Sequence, residues 1–182
     1  MQLIVKGIGL YAYRKTNQSH AQLLLDFYTN NRNHLAPWEP ERNVHFYTLD
    51  YWQEQMQNRE AEMQEGRAIF FVAMDDAENV IAVCNLTNIV RGVFQAGYMG
   101  YAVAEAYQGK GVMKSLCEYV VKYAFEELKL NRVMSNYLPR NERSGNLLKA
   151  LGFEQEGYAK RYLKIHGQWQ DHVLTARVNP AE

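Results

Sequence analysis

The amino-acid sequence predicts a mixed-sheet domain, α+β or α/β, with its elements in the order β α α β β β α β α β β. Three observations carry the prediction. Three short runs rich in β-forming residues follow one another between positions 68 and 103, a strongly amphipathic helix comes directly after them, and two more such runs close the chain. A length of 182 residues without repeat, low-complexity tract or Gly/Ser linker predicts one domain over 1–182.

Residues 9–14 (GLYAYR) read as the opening strand. A helix then begins near Ser19, whose hydroxyl suits an N-cap, and carries Leu24, Phe27 and Tyr28 at helical spacing. In the loop HLAPWEPER, Pro37 and Pro40 bracket Trp38 and Glu39, and a second helix runs from about Leu49 through Trp52, Met56 and Met63 to a stop at Gly66. Strands at 68–74, 80–90 and 94–103 form a meander, turned by DDAEN and by Arg91–Gly92. From Met113 to about Leu128, the residues Met113, Leu116, Cys117, Val120, Ala124 and Leu128 line one helical face, with Lys114, Glu118, Lys122 and Glu126 on others. A strand from Arg132, a helix from Arg143 to Leu151 stopped at Gly152, and strands at 156–165 and 169–178 joined at His166–Gly167 complete the order.

Composition narrows the functional classes. Twenty Lys+Arg balance twenty Asp+Glu, so the chain lacks the basic excess of a protein that grips long nucleic acid, and no direct DNA binding is expected. Cys84 and Cys117 sit in apolar runs and read as core residues, and the five histidines show no ligand spacing, so no metal is expected. No run approaches the ~20 apolar residues of a membrane helix, and the start MQLIVKGIGL lacks the features of a leader, so the sequons at Asn17 and Asn85 are chance matches. A cytoplasmic protein with no membrane contact is expected.

The most informative segment is AVAEAYQGKGVMKS, 102–115. A strand ends, two glycines follow, and the amphipathic helix begins at once. Glycines there let successive N–H groups converge beside the positive end of the helix dipole, which suits a phosphate or pyrophosphate, although a strand-to-helix turn that binds nothing can use the same two glycines. Lys110 and Lys114 add charge. A dinucleotide fingerprint is absent, because Lys114 stands where its third glycine belongs, and so is a Walker A loop.

The spacing Gln108-x-x-Gly111 after a meander strand, then Asn141-Glu-Arg-Ser144, LLKALGF and Glu156-Gly157, resembles the signatures of the GCN-five-related N-acetyltransferases. Within that superfamily PWEP (37–40), NLTNIVRGVFQA (85–96), QGKGVM (108–113), RSGNLLKALGFEQEGYAK (143–160) and GQWQDHVLTA (167–176) are similar to the ribosomal-protein alanine N-acetyltransferases. The resemblance covers essentially the whole chain. It implies a mixed, mostly antiparallel central sheet flanked by helices, acetyl-CoA as cosubstrate, and a ribosomal-protein N-terminus as acceptor, with an association with ribosome assembly. By the same resemblance, backbone groups of Tyr101, Ala102 and Val103 should hold the pantetheine arm. The amides of Gln108, Gly109, Lys110, Gly111, Val112 and Met113, with Lys114 beside them, should hold the pyrophosphate. Asn141 should reach the coenzyme, and Ser144 should lie near the thiol as the catalytic residue, with the Val103 N–H holding the oxyanion. The sequence departs from the broad family at Met113, at Gly97, where histone-type members carry a carboxylate base, and at Leu148, where many carry a tyrosine acid.

Trp38, Glu39, Tyr137 and Tyr162 are the candidate acceptor-binding residues, with the two tyrosines expected to line the same cleft as the Trp38–Glu39 loop. Arg140, Arg143 and Lys149 are candidates for the ribose phosphate, though a solvated helix face accounts for them as well. Three readings follow: an N-terminal acetyltransferase, an acetyltransferase of a small amine such as a polyamine or aminoglycoside, and a non-catalytic acetyl-CoA-binding module. The oligomeric state has no signal in the sequence.

Overall fold

A computed structural model describes the backbone at residues 2–5, 8–12 and 18–181, with side chains from Ala21 onward. Strands β1 (Gln2–Val5) and β2 (Ile8–Ala12) lead into helix α1 (Gln18–Asn30) and the single turn α2 (Arg32–Leu35). A 3-10 turn at Val44–Tyr47 precedes α3 (Leu49–Gln64) and strands β3 (Ile69–Met74), β4 (Val80–Val90) and β5 (Ala96–Val103). Helix α4 (Val112–Glu126), β6 (Arg132–Tyr137), α5 (Glu142–Ala150), β7 (Glu154–Ile165) and β8 (Gln168–Val178) complete the chain.

The sequence expectation holds for the meander, both later helices and the final hairpin. It omits β1, which pairs antiparallel with β2 from Gln2↔Tyr11 to Val5↔Ile8. The predicted opening strand runs on to Arg14, but Tyr13 and Arg14 lie outside the described residues, as does the hydroxyl of Ser19. Two short helical turns, Arg32–Leu35 and Val44–Tyr47, flank the Pro-bracketed segment, and no periodicity announces them.

The eight described strands form one sheet in the order β1-β2-β3-β4-β5-β6-β8-β7. Every pairing is antiparallel except that of β5 with β6. Because side chains alternate across a strand, β3 sends Ile69, Phe71 and Ala73 to one face and Phe70, Val72 and Met74 to the other. The first face is covered by α4 and α5 through Leu116, Val120, Leu148 and Leu151, and the second by α1 and α3 through Leu24, Phe27, Trp52 and Met56. β3 is therefore buried along its whole length.

Capping explains where the helices start and stop. Thr48 accepts from the Tyr51 N–H at 3.3 Å to open α3, and Asn141 accepts from the Ser144 N–H at 3.2 Å to open α5. Leu116 is fully enclosed between α4 and the sheet. A Leu116→Ala variant should lose about 2–5 kcal/mol of stability in denaturant unfolding, and a loss below about 1 kcal/mol would show that this core layer repacks freely.

Candidate active site

The sheet opens at its one parallel pairing. β5 and β6 are in register only over Ala96↔Arg132, Gly97↔Val133 and Tyr98↔Met134, and beyond these residues they part. The hydroxyl of Ser135 donates to the Met99 carbonyl at 2.9 Å and pins the point of divergence. On the other side β5 stays paired with β4 as far as Val103.

Which backbone groups face the opening follows from the antiparallel alternation. The Ala104 N–H donates to the Ile81 carbonyl at 2.8 Å, so Ala102 and Gly100 turn their N–H and C=O toward β4. Tyr101 and Val103 turn theirs toward the gap. Of the three residues expected to present backbone here, two do so, while the amide groups of Ala102 belong to the ladder with Val83.

The loop between β5 and α4 lies at the mouth of this gap. Gly109 and Gly111 adopt φ of +69° and +79°, the left-handed region that side-chain-bearing residues avoid. Gly111 is the N-cap of α4, and the Ser115 N–H is the first to bond back, to the Gly111 carbonyl at 3.1 Å. The amides of Val112, Met113 and Lys114 therefore lack intrahelical acceptors and point out of the helix end. Val112 is 4% exposed, so it contributes only backbone, whereas Lys110 and Lys114 are exposed. The Lys110 ammonium lies 5.0 Å from the centroid of the Tyr107 ring.

Neighbouring elements brace the loop. The Glu105 N–H donates to Asn31 Oδ1 at 2.9 Å. Gln108 spans the mouth: its Nε2 lies 3.1 Å from His34 Nε2, and its Oε1 accepts from the Arg143 guanidinium. Arg143 is thus engaged with the loop. Arg140 donates to the Pro37 carbonyl at 3.0 Å and sits 5.2 Å from the centroid of the Trp38 ring. Lys149 is exposed.

Ser144 enters from the first turn of α5, and its Oγ lies 2.7 Å from the Tyr101 hydroxyl. Burial pushes the Tyr101 phenol far above its usual pKa, so it stays protonated at neutral pH. Asn141 commits its Oδ1 to the Ser144 amide, and its Nδ2 has no hydrogen-bond partner among the described residues.

The acceptor candidates separate. Tyr137 packs on the α5 side, where a Cβ at Gly145 would lie 2.8 Å from its ring. Tyr162 lies on the other face, accepting a 3.3 Å hydrogen bond from Asn136. Tyr137 and Asn136 are adjacent in β6 and so point to opposite faces, which corrects the expectation that Tyr137 and Tyr162 share one cleft wall. Trp38 is half-exposed on the loop above the second face, and the Glu39 carbonyl accepts from the His166 N–H at 2.9 Å, tying that loop to the β7–β8 turn. Burial raises the pKa of the Glu39 carboxyl, with Arg42 at 3.5 Å opposing the shift. The same carboxylate, after burial, helps push the Tyr28 phenol up to about 12.

Two of the three positions of departure, Gly97 and Leu148, are apolar for steric reasons. A Cβ at Gly97 would come within 3.2 Å of the Leu86 side chain, and Leu148 is 1% exposed inside the core. Among the described residues no His, Cys, Asp or Glu cluster could hold a metal ion, and no helix is long and apolar enough to cross a membrane. An open hollow of about 400 Å³ on α3, lined by Asn58, Arg59, Glu62 and Arg67, includes no residue of β5 or β6.

The sequence reading missed the Tyr101 hydroxyl and the pair Tyr98 and Asn136. Tyr101 meets a partner 43 residues away, and no local pattern announces such a meeting.

Comparison with known proteins places the chain. Residues 12–154 match the model of the acetyltransferase (GNAT) domain. The chain is 42% identical over 168 residues to the [ribosomal protein uS5]-alanine N-acetyltransferase of Escherichia coli (strain K12), covering 92% of this chain and 87% of that protein. It superposes on the ribosomal-protein-S5-alanine acetyltransferase of Vibrio fischeri with a TM-score of 0.93 at 35% identity, covering 99% and 97% of the two chains. On the Mycobacterium smegmatis RimJ in complex with CoA-disulfide the TM-score is 0.86 at 27% identity, with 94% and 81% covered. With its mixed sheet parted after β5 and a glycine loop opening α4, this chain belongs to the GNAT family of acetyltransferases.

Proposed function

We propose that this protein transfers acetyl from acetyl-CoA to the α-amine of an N-terminal alanine on a small-subunit ribosomal protein, in the cytoplasm. The observation that carries the reading is the unpaired backbone of Tyr101 and Val103, which leads from the α4 amides at one end to the Tyr101–Ser144 hydroxyl pair within the gap. A strip of strand groups suits a ligand arm that carries two amides, as strand addition does. The amides of 109–114 suit a pyrophosphate. The acceptor assignment follows the E. coli and V. fischeri relatives, whose names specify alanine of ribosomal protein S5.

The chemistry needs little from the protein. A peptide α-amine has a pKa of about 7.7–8.0, so roughly one molecule in ten is neutral at pH 7. Its lone pair attacks the thioester carbon, and the carbonyl oxygen gains charge beside the Val103 N–H. As the C–S bond breaks, the Ser144 hydroxyl donates to the departing thiolate, the Tyr101 hydroxyl passes a proton on to Ser144, and solvent restores the proton to Tyr101 in the same turnover. The amine proton leaves to water. This scheme accounts for apolar residues at positions 97 and 148.

The test is coenzyme A release with alanine-starting, serine-starting and lysine-containing peptides and with spermidine. The alanine-starting peptide should be turned over fastest. A preference for spermidine would assign a small-amine acceptor instead, and tight acetyl-CoA binding without turnover of any acceptor would leave a binding module.

A further inference from the structure

We infer that Asn136, Tyr162 and Tyr98 form an uncharged cradle for the acceptor's amine, with Asn136 as its central acceptor-positioning residue; this rests on the α-amine reading above and deepens it. The three residues come from three different strands and meet where the sheet divides. Tyr98 is the last residue of β5 in register with β6, and Asn136 lies two residues beyond its partner Met134. Tyr162 reaches in from β7, accepts from Asn136 Nδ2 at 3.3 Å, and has the Tyr98 hydroxyl beside its own. All three are half-buried and thus reachable.

Their side of the sheet is the one an amine can use. The α4–α5 face is filled at this level by Tyr137 against Gly145 and by Leu148 and Leu151. The opposite face, covered by α1 and α3 nearer β3, carries the Trp38–Glu39 loop toward the β7–β8 turn, attached through Glu39 to His166 and through Arg140 to Pro37. An amine entering beneath that loop meets the gap from the side away from Ser144, as attack on a carbonyl held between β5 and β6 requires.

The cradle carries no charge. The His172 ring lies 5.7 Å from the Tyr162 ring centroid, and burial lowers its pKa so that it is uncharged at neutral pH. The Asp171 carboxylate is occupied by the Tyr158 hydroxyl at 2.9 Å and the Arg161 N–H at 2.8 Å. Glu39 faces Arg42. No carboxylate hydrogen-bonds to the three residues among those described. The Asn136 carbonyl and the Tyr98 and Tyr162 phenol oxygens offer uncharged acceptors to the N–H groups of an amine. A carboxylate there would stabilise the charged form and hold back the proton that must leave before attack. Uncharged acceptors favour the protonated form far less than a carboxylate does, and so the cradle suits α-amines near pKa 8 better than side-chain amines near 10.4.

The experiment measures steady-state kinetics of the full chain with an alanine-starting peptide, alongside acetyl-CoA affinity as a control for folding. Asn136→Ala should raise KM for the peptide by about 10-fold, the effect of losing one good hydrogen bond to a charged donor, with acetyl-CoA affinity unchanged. Asn136→Asp should move the acidic limb of the kcat/KM profile up by about one pH unit and narrow the preference for the peptide over spermidine. Peptide turnover with wild-type KM in both Asn136→Ala and Tyr162→Phe would overturn the cradle alone. A wild-type preference for spermidine would overturn the acceptor assignment and the cradle together.

Discussion

Gly111→Val should weaken acetyl-CoA binding by about 100-fold or more. Two effects combine. At φ +79° a side-chain-bearing residue costs roughly 1–2 kcal/mol, and valine, branched at Cβ, suffers most. A Cβ at this position also meets no protein atom within 4 Å, so the new side chain occupies the open space onto which the α4 amides point. Gly111→Ala separates the two effects: it carries most of the backbone strain with little bulk. Titration calorimetry with acetyl-CoA, beside denaturant unfolding, reads both. Valine that destabilises the fold yet leaves affinity at the wild-type level would remove this loop from coenzyme binding.

Ser144→Ala should lower kcat by about 100-fold, at the lower end of what a positioned acid contributes. KM for acetyl-CoA should change little, because in the proposed reading that substrate is held by the α4 amides and the β5 backbone. Tyr101→Phe keeps the ring and deletes the hydroxyl 2.7 Å from Ser144, so it should cost about 10-fold in kcat by breaking the proton return. If the two act as one relay, the double variant should be no slower than Ser144→Ala alone. Full additivity would separate their roles, and an unchanged kcat in Ser144→Ala would require a different proton donor to the thiolate.

What could be read from sequence divides along physical lines. The α4 stripe and its glycine start were legible because period and left-handed backbone are local properties, written within one or two turns of chain. The strands of the meander were legible for the same reason. Strand β1 was not, because MQLIVKGIGL reads as one apolar run with no strong turn residue pair between its halves. The separation of Tyr137 from Tyr162 was also hidden. It depends on which face of β6 each residue joins, and that phase is set by pairing with β8 and β5, not by the identity of tyrosine. The likeness to known acetyltransferases supplied the roles of Gln108, Asn141 and Ser144, but it could not show that Gln108 is held between His34 and Arg143.

The alternation along β5 has a consequence for how this site can change. Odd-numbered residues address the opening and even-numbered ones address β4, so the strand stores its function as parity. A one-residue insertion in the hairpin at 91–95 that slid β5 against β4 would exchange the two sets. Gly100 and Ala102 would then face the gap, and the Tyr101 ring would swing to the far side of the sheet from Ser144. The ladder would keep its hydrogen bonds, but Met99 would leave the core it fills on the α4–α5 face, so stability would fall along with the chemistry. Side chains such as Ala102 and Val103 are unspecialised because their position in the count matters more than what they are. Substitutions here should be tolerated far better than changes in length.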